Sequence, residues 1–128
     1  MRYRPLDKAA VAERLKTYAR KERNFRNPHL TLQMVADAIG VARSTLIKVF
    51  SEELHTTFHD YVDNCRLRHS RHLVMLNRGR FSMEHIAVVS GYGSVQTFNR
   101  KYKAEYGELP RDTKTNTKTY IKLVIKSV

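Results

Sequence analysis

The stretch "SGYGSVQTFNRKYKAEYG", residues Ser90 to Gly107, has the pattern of a glycine-containing turn followed by an amphipathic helix. One face of this helix is apolar, and it comprises Val95, Phe98, Tyr102 and Tyr106. A second face, about a third of a turn away, is polar and basic, and it comprises Gln96, Arg100 and Lys103 with Thr97 beside it. We expect Gly91 and Gly93 to shape the turn. The apolar face predicts packing onto a small core, so the polar face needs a different partner.

A weaker copy of this pattern lies about 51 residues earlier in the chain. Thr31 can cap a short helix, "LQMVADAI", that ends at Gly40, and a second helix is predicted from about Arg43 to Leu54. In the later copy, Ser82 caps "MEHIAVVS" and Gly91 ends it. A short helix, a glycine turn and a second helix form the outline of a helix-turn-helix motif. The sequence therefore predicts two such motifs.

The remaining segments predict helices around these motifs. A first helix is expected from Leu6 to about Arg23, followed by a loop from Asn24 to Leu30 that contains Pro28. A long helix is expected from Thr57 to about Asn77, some 20 residues or roughly 30 Å, with apolar residues on two sides. The predicted all-α fold has four parts: 1–56 with the first helix-turn-helix, 57–77 as linker helix, 78–110 as second helix-turn-helix, and 111–128 as a basic tail of uncertain structure.

Composition favours a polyanionic partner. The chain has 128 residues with 24 Lys and Arg against 12 Asp and Glu, a formal charge of +12, and these charges are spread along the chain. Such a balance points to nucleic acid. An acidic membrane surface would require a basic amphipathic helix with large exposed apolar residues, which no segment clearly shows. With the single cysteine, Cys65, and no secretory signal, the sequence predicts a cytoplasmic protein without an internal disulfide.

Three blocks between Leu30 and about Pro110 resemble the DNA-binding domain of the AraC/XylS family of bacterial transcription regulators. They read "LTLQMVADAIGVARSTLIKVF", "TFHDYVDNCRLRHSRHLV" and "IAVVSGYGSVQTFNRKYKAEYGELP". The third is the most specific, because it has the glycine-aromatic turn at Gly91 and a terminal Gly-x-x-Pro. The resemblance implies two homeodomain-like helix-turn-helix units joined by a rigid helix. Each second helix would enter a major groove, with the two half-sites about one turn, roughly 34 Å, apart.

Three positions depart from the family pattern. Ala42 stands where the family usually has a capping Ser or Asn, so we expect the first recognition helix to begin without a side-chain acceptor, at a typical loss of about 1 kcal/mol. His55 replaces a common glycine at a helix end. Thr113 and Lys114 stand where the family tends to have an aromatic residue and an arginine. These departures concern the start of one helix and the C-terminal packing rather than the fold.

The resemblance places DNA contacts on both second helices. The predicted DNA-binding residues are Arg43, Ser44, Ile47 and Lys48 in the first unit, and Ser94, Gln96, Thr97, Arg100, Lys101 and Lys103 in the second. Gln pairs bidentately with adenine and Arg with guanine, while Ile47 and Thr97 suit a thymine methyl group. Lys101 and Lys103 are assigned to phosphates, which gives affinity without sequence choice. The alternative for each polar face, a merely solvated surface, becomes weak when two such faces occur on one basic chain.

Metal binding and catalysis receive little support. Cys65, His69 and His72 share one helical face, but a single straight helix rarely supplies three ligands and no fourth is evident, so no metal or other cofactor is predicted. The acidic and imidazole groups of "FHDYVD" complete no catalytic set, so we predict no enzymatic activity. The alternative from another class of protein is a basic nuclease or integrase fragment. This alternative predicts metal-dependent cleavage of plasmid DNA, and absence of cleavage would refute it.

The sequence thus predicts a regulator of transcription that binds double-stranded promoter or operator DNA in a sequence-specific manner. RNA polymerase is a further candidate partner. A second alternative is that the chain is the C-terminal output domain of a larger sensor protein. The operator, the effector and the oligomeric state do not follow from the sequence.

Overall fold

The computed structural model describes residues 7–77 and 79–113, and this part of the chain is helical without strands. Its α-helices are α1 (Lys8–Lys16), α2 (Leu32–Ile39), α3 (Arg43–Glu52), α4 (Phe58–Leu76), α5 (Met83–Val89) and α6 (Val95–Tyr106). A π-helical turn, Thr17–Lys21, and two 3-10 turns, Asn24–Arg26 and Pro110–Asp112, complete it. The all-α prediction is confirmed. The predicted tail lies outside the described residues from position 114 onward.

The chain divides into two compact units, an N-terminal unit (Met1–Asp63) and a C-terminal unit (Asn64–Val128). In the N-terminal unit α1, α2 and α3 bury Leu15, Val35 and Leu46 completely. The first turns of α4 extend this core, because the rings of Phe58 and Tyr61 lie 6.0 and 5.8 Å from the ring of Phe50. Apolar contact between these helices is the main stabilising contribution of such a small core.

The C-terminal unit has a core formed by the rest of α4 with α5 and α6. Its members are Leu67, Val74, Ile86, Ala87, Tyr92, Phe98 and Tyr102. The aromatic rings dominate, since each buries a large apolar area. Phe98 lies between two of them, with ring centroids 5.2 Å from Tyr92 and 5.7 Å from Tyr102. The predicted apolar face of α6 is therefore the face that packs.

The same backbone hydrogen bond occurs in each of the two helix-turn-helix turns. The amide of Val41 donates to the carbonyl of Ala36 in the first turn, and the amide of Tyr92 donates to that of Ala87 in the second, each at 3.0 Å. Gly40 and Gly91, which precede these donors, have φ of 73° and 95°. Side chains rarely tolerate this left-handed region, so glycine is required at both turns. The 51-residue offset of the predicted repeat is thus retained in the backbone.

Gly93 does not contribute as we expected. Its φ lies outside the left-handed region, and a Cβ added at this position would meet no atom within 4 Å. The backbone there is open to any residue. The glycine requirement of the second turn therefore rests on Gly91 alone.

Two predicted helices agree approximately with the structure but differ from it in detail. The first helix is α-helical only from Lys8 to Lys16 and continues as the π-helical turn Thr17–Lys21. The helical backbone has ended at Arg23, where φ is 60°. It begins where it does because the Asp7 carboxylate accepts hydrogen bonds from the Ala9 and Ala10 amides. Helix α3 ends at Glu52 rather than Leu54, because the backbone turns towards a left-handed residue at His55, with φ of 52°.

Candidate nucleic-acid interface

Helix α3 presents the four predicted contact residues of the first unit to solvent. Arg43, Ser44, Ile47 and Lys48 are all exposed. The opposite face carries Leu46, Val49 and Phe50, which are buried. Ile47 is half exposed, at 50%, although it is a large aliphatic residue. An exposed isoleucine flanked by a hydroxyl and a cation fits an apolar contact to a thymine methyl beside polar contacts to base edges or phosphates.

The ends of α3 are only partly stabilised. As predicted, Ala42 occupies the N-cap position and provides no side-chain hydrogen bond, so the amides of the first turn lack this acceptor. The helix is followed by His55 in the left-handed region, which is costly for a residue with a Cβ. Glu52, at the last position of α3, forms an exposed ion pair with Lys8 of α1. Such exposed pairs contribute little to stability.

Ala42→Ser is expected to stabilise α3. A serine hydroxyl at the N-cap can accept a hydrogen bond from a first-turn amide, as Thr31 does for Met34 at 3.1 Å in α2. The expected gain is about 0.5–1 kcal/mol, which would slow hydrogen exchange of the α3 amides by about two- to five-fold. NMR-detected exchange measures this, with the amides of α6 as internal reference. Unchanged exchange in α3 would show that the missing cap does not limit its stability.

Helix α6 presents a larger polar face. Gln96, Arg100 and Lys103 are exposed, whereas Ser94, Thr97 and Lys101 are partly buried. Ser94 is the N-cap: its hydroxyl oxygen accepts a hydrogen bond from the Thr97 amide at 3.2 Å and its hydroxyl donates to the Thr97 hydroxyl oxygen at 3.0 Å. The first turn of α6 is therefore held by its own side chains, in contrast with α3.

An arginine that the sequence did not single out holds the C-terminal half of α6. Arg71 of α4 donates a hydrogen bond to the buried Tyr102 hydroxyl at 2.8 Å. Its guanidinium carbon lies 4.4 Å from the centroid of the Tyr106 ring and one of its nitrogens lies 3.5 Å from a carboxylate oxygen of Glu108. The Tyr102 hydroxyl also lies 2.9 Å from that of Thr113. One side chain thus contacts α6 at two successive turns and the segment that follows it.

The histidines of α4 do not assemble into a metal site with other described residues. Within residues 7–77 and 79–113, no three His, Cys, Asp or Glu side chains are placed to hold a metal ion. Burial lowers the pKa of His72, and the positive charge of Arg68 lowers it further. The Nδ1 atom of His59 lies 3.5 Å from a carboxylate oxygen of Asp63, one turn further along α4. In the same described ranges no helix is both long and apolar enough to cross a membrane.

A family model described as a helix-turn-helix domain matches residues 35–116. The matched span runs from within α2 through α6 and includes both glycine turns. It covers more than half of the chain. The chain belongs to the AraC-type helix-turn-helix family. The predicted family resemblance is confirmed, and the family is one of transcription regulators rather than enzymes.

This AraC-type chain is similar in sequence to a curated regulator and similar in fold to an isolated domain of known structure. It is 31% identical over 90 residues to the xylose operon regulatory protein of Escherichia coli K12, covering 70% of this chain and 22% of that protein. The chain thus spans less than a quarter of the length of that relative. Its fold matches the C-terminal domain of AraT, a response regulator from Geobacillus stearothermophilus, with a TM-score of 0.73, 22% identity, and coverage of 83% and 84% of the two chains.

A third likeness is to a structure solved with DNA. The DNA-binding domain of AdpA, a global transcriptional factor, in complex with a target DNA, matches with a TM-score of 0.68 and 13% identity. The match covers 78% of this chain and 86% of that one. At this identity the likeness concerns the fold alone.

Proposed function

We propose that this AraC-type domain binds double-stranded DNA in a sequence-specific manner and regulates transcription, with α3 and α6 as its two recognition helices. The observation that supports this most directly is the repeated design of the two units. In each unit, one face of the second helix is buried in the core of that unit. The opposite face is exposed and polar, and it has no acidic residue in the first turn of the helix. A helix of this kind is what the helix-turn-helix motif inserts into a major groove.

Contact roles follow from side-chain chemistry. Gln96 and Arg100 are exposed on α6 and match the donor and acceptor patterns of adenine and guanine in the major groove. Lys103 and Lys101 are assigned to phosphates. On α3 we assign Ile47 to a thymine methyl group, and Arg43, Ser44 and Lys48 to base edges or phosphates. With both helices engaged, the site would have two half-sites about one helical turn apart. Contact with RNA polymerase stays a prediction.

Arg100→Ala and Lys103→Ala are expected to have different effects on DNA binding. Loss of a bidentate contact to guanine should relax preference at one base pair by about 1–3 kcal/mol, whereas loss of a phosphate contact should weaken binding to all sequences similarly. Selection of sites from a random DNA library with wild type and both variants measures this. Arg20→Ala is the matched control, because Arg20 is an exposed arginine outside both recognition helices.

Two results would contradict the proposal. Equal loss of specificity from Arg100→Ala and Lys103→Ala would refute the assignment of base and phosphate contacts. A wild-type chain that enriches no sequence from the library would refute sequence-specific binding itself. Cleavage of plasmid DNA in the presence of a divalent metal would instead favour the nuclease alternative.

A second candidate is that this domain acts as the output module of a larger sensor regulator. It is favoured by the size of the relative, since the chain corresponds to 22% of the xylose operon regulatory protein. The DNA-binding role of the two helices is the same in both cases. An antibody raised against this chain distinguishes them in cell extract, because an output module migrates well above the 15.0 kDa of the chain.

A further inference from the structure

The two units carry very different formal charges. Residues Met1–Asp63 contain 11 Lys and Arg against 8 Asp and Glu, a net +3, whereas Asn64–Val128 contain 13 against 4, a net +9. Non-specific attraction to DNA depends on the number of phosphates that cationic groups neutralise, since each such contact releases counterions. Most of the net positive charge of the chain therefore belongs to the C-terminal unit.

Acidic neighbours further reduce the attraction of the N-terminal unit for the DNA backbone. Lys8 contacts Glu52, and Lys16 lies 3.2 Å from Glu13. The hydrogen bond from Lys8 lowers the pKa of Glu52, with a smaller contribution from the charge of Lys48. Lys48, one of the two cations of α3, therefore lies in the field of a carboxylate one turn further along the same helix. Its attraction to a phosphate is correspondingly weaker.

The two recognition helices also differ in how firmly they are held. Helix α6 is capped by Ser94, ends at a left-handed glycine, Gly107, and is fixed by Arg71. Helix α3 has no side-chain cap and is followed by a left-handed histidine. A helix already ordered in the free protein loses less conformational entropy on binding. Helix α6 is thus the better-organised surface as well as the one in the more basic unit.

We propose that the two units divide DNA binding: the C-terminal unit supplies most of the salt-dependent affinity for any duplex, and α3 contributes mainly to the choice of sequence. The second half of this statement rests on the proposed function, because it requires that α3 contacts bases. On α3 the exposed groups most suited to base contact, Ser44 and Ile47, are uncharged. They can discriminate between sequences while adding little to the attraction for the phosphate backbone.

Two matched double substitutions in the full chain test the division. Arg43→Ala with Lys48→Ala removes two exposed cations from α3, and Lys101→Ala with Lys103→Ala removes from α6 the two cations that are assigned to phosphates. The apparent dissociation constant is measured on a random-sequence duplex and on the duplex selected by wild type. The salt concentration is varied from about 50 to about 300 mM, because affinity that comes from phosphate contacts falls steeply over this range. Circular dichroism verifies folding, and the corresponding glutamine pairs replace any alanine pair that fails to fold.

The α6 pair is expected to lower the slope of log affinity against log salt by about two on the random duplex and to weaken binding there by tenfold or more. The α3 pair should change that affinity by less than about threefold. Ser44→Ala with Ile47→Ala, which removes the uncharged groups, should reduce the ratio of selected to random binding by at least about tenfold, and an unchanged ratio overturns this half of the proposal. Equal slope losses, a larger loss from the α3 pair, or no binding of wild type to the random duplex overturn the division. Unequal slopes without any sequence preference in wild type would refute the proposed function and leave the division of affinity intact.

Discussion

Phe98→Ala is expected to destabilise the C-terminal unit by about 3–5 kcal/mol, the largest effect of any single substitution considered for this protein. Phe98 has no exposed surface and packs between the rings of Tyr92 and Tyr102. Truncation removes these contacts and leaves a cavity beneath α6 that neighbouring rings fill only in part. Because small domains are stabilised by only about 5–15 kcal/mol in total, the unit should be close to unfolding. Urea denaturation followed by circular dichroism measures the loss.

Val88→Ala is the matched control for Phe98→Ala. Val88 is an apolar residue of the same unit, in α5, but 66% of its surface is exposed. Its truncation should change the free energy of unfolding by no more than about 0.5 kcal/mol. A loss below about 1 kcal/mol for Phe98→Ala would mean that the core beneath α6 is not packed as the structure has it.

Arg71→Ala is expected to destabilise the C-terminal unit by about 2–4 kcal/mol and to weaken DNA binding through α6. The substitution removes a charged hydrogen bond to the buried Tyr102 hydroxyl, typically worth about 1.5–3 kcal/mol, and a cation–π contact with Tyr106, worth about 0.5–2 kcal/mol. The ion pair with Glu108 adds little, because that carboxylate is 40% exposed. Thermal denaturation and the affinity for the selected duplex are the two measurements.

Arg68→Ala and Tyr102→Phe separate the contributions at this contact. Arg68 is an exposed arginine of the same helix, so its removal matches the charge change without loss of the hydrogen bond to Tyr102. Tyr102→Phe keeps the buried ring and removes only the hydroxyl, with an expected loss of about 1–2 kcal/mol. If Arg71→Ala is no more destabilising than Arg68→Ala, then Arg71 does not fix α6.

The helices and their buried faces were predictable because they depend on local spacing. The 3.6-residue period placed Phe98 and Tyr102 on the inner face of α6, and both are completely buried. Glycine at positions 40 and 91 predicted the turns, since few residues other than glycine adopt a positive φ. The ends of α1 and α3 were less predictable. There the sequence lacks a strong stop signal, and the left-handed residues are Arg23 and His55 rather than glycine.

The exposed faces of the candidate site were predictable from the sequence, but the burial of one of its residues was not. The exposed faces of α3 and α6 follow from the same periodicity that defines their buried faces, so the structure places Ile47, Gln96 and Arg100 on the outside as expected. The partial burial of Ser94 was not evident, because its capping role depends on where the first turn of α6 begins. Whether these residues contact DNA stays a prediction.

By itself the sequence determined an all-helical chain with two helix-turn-helix motifs, the inner and outer face of each second helix, and a strong excess of positive charge. These properties are local or additive, so they require no knowledge of which segments meet. Only the tertiary structure paired Arg71 with Tyr102, 31 residues away, and Lys8 with Glu52, 44 residues away. Such contacts depend on the direction in which packed helices project their side chains, and helical periodicity alone does not specify the partner that a side chain will meet.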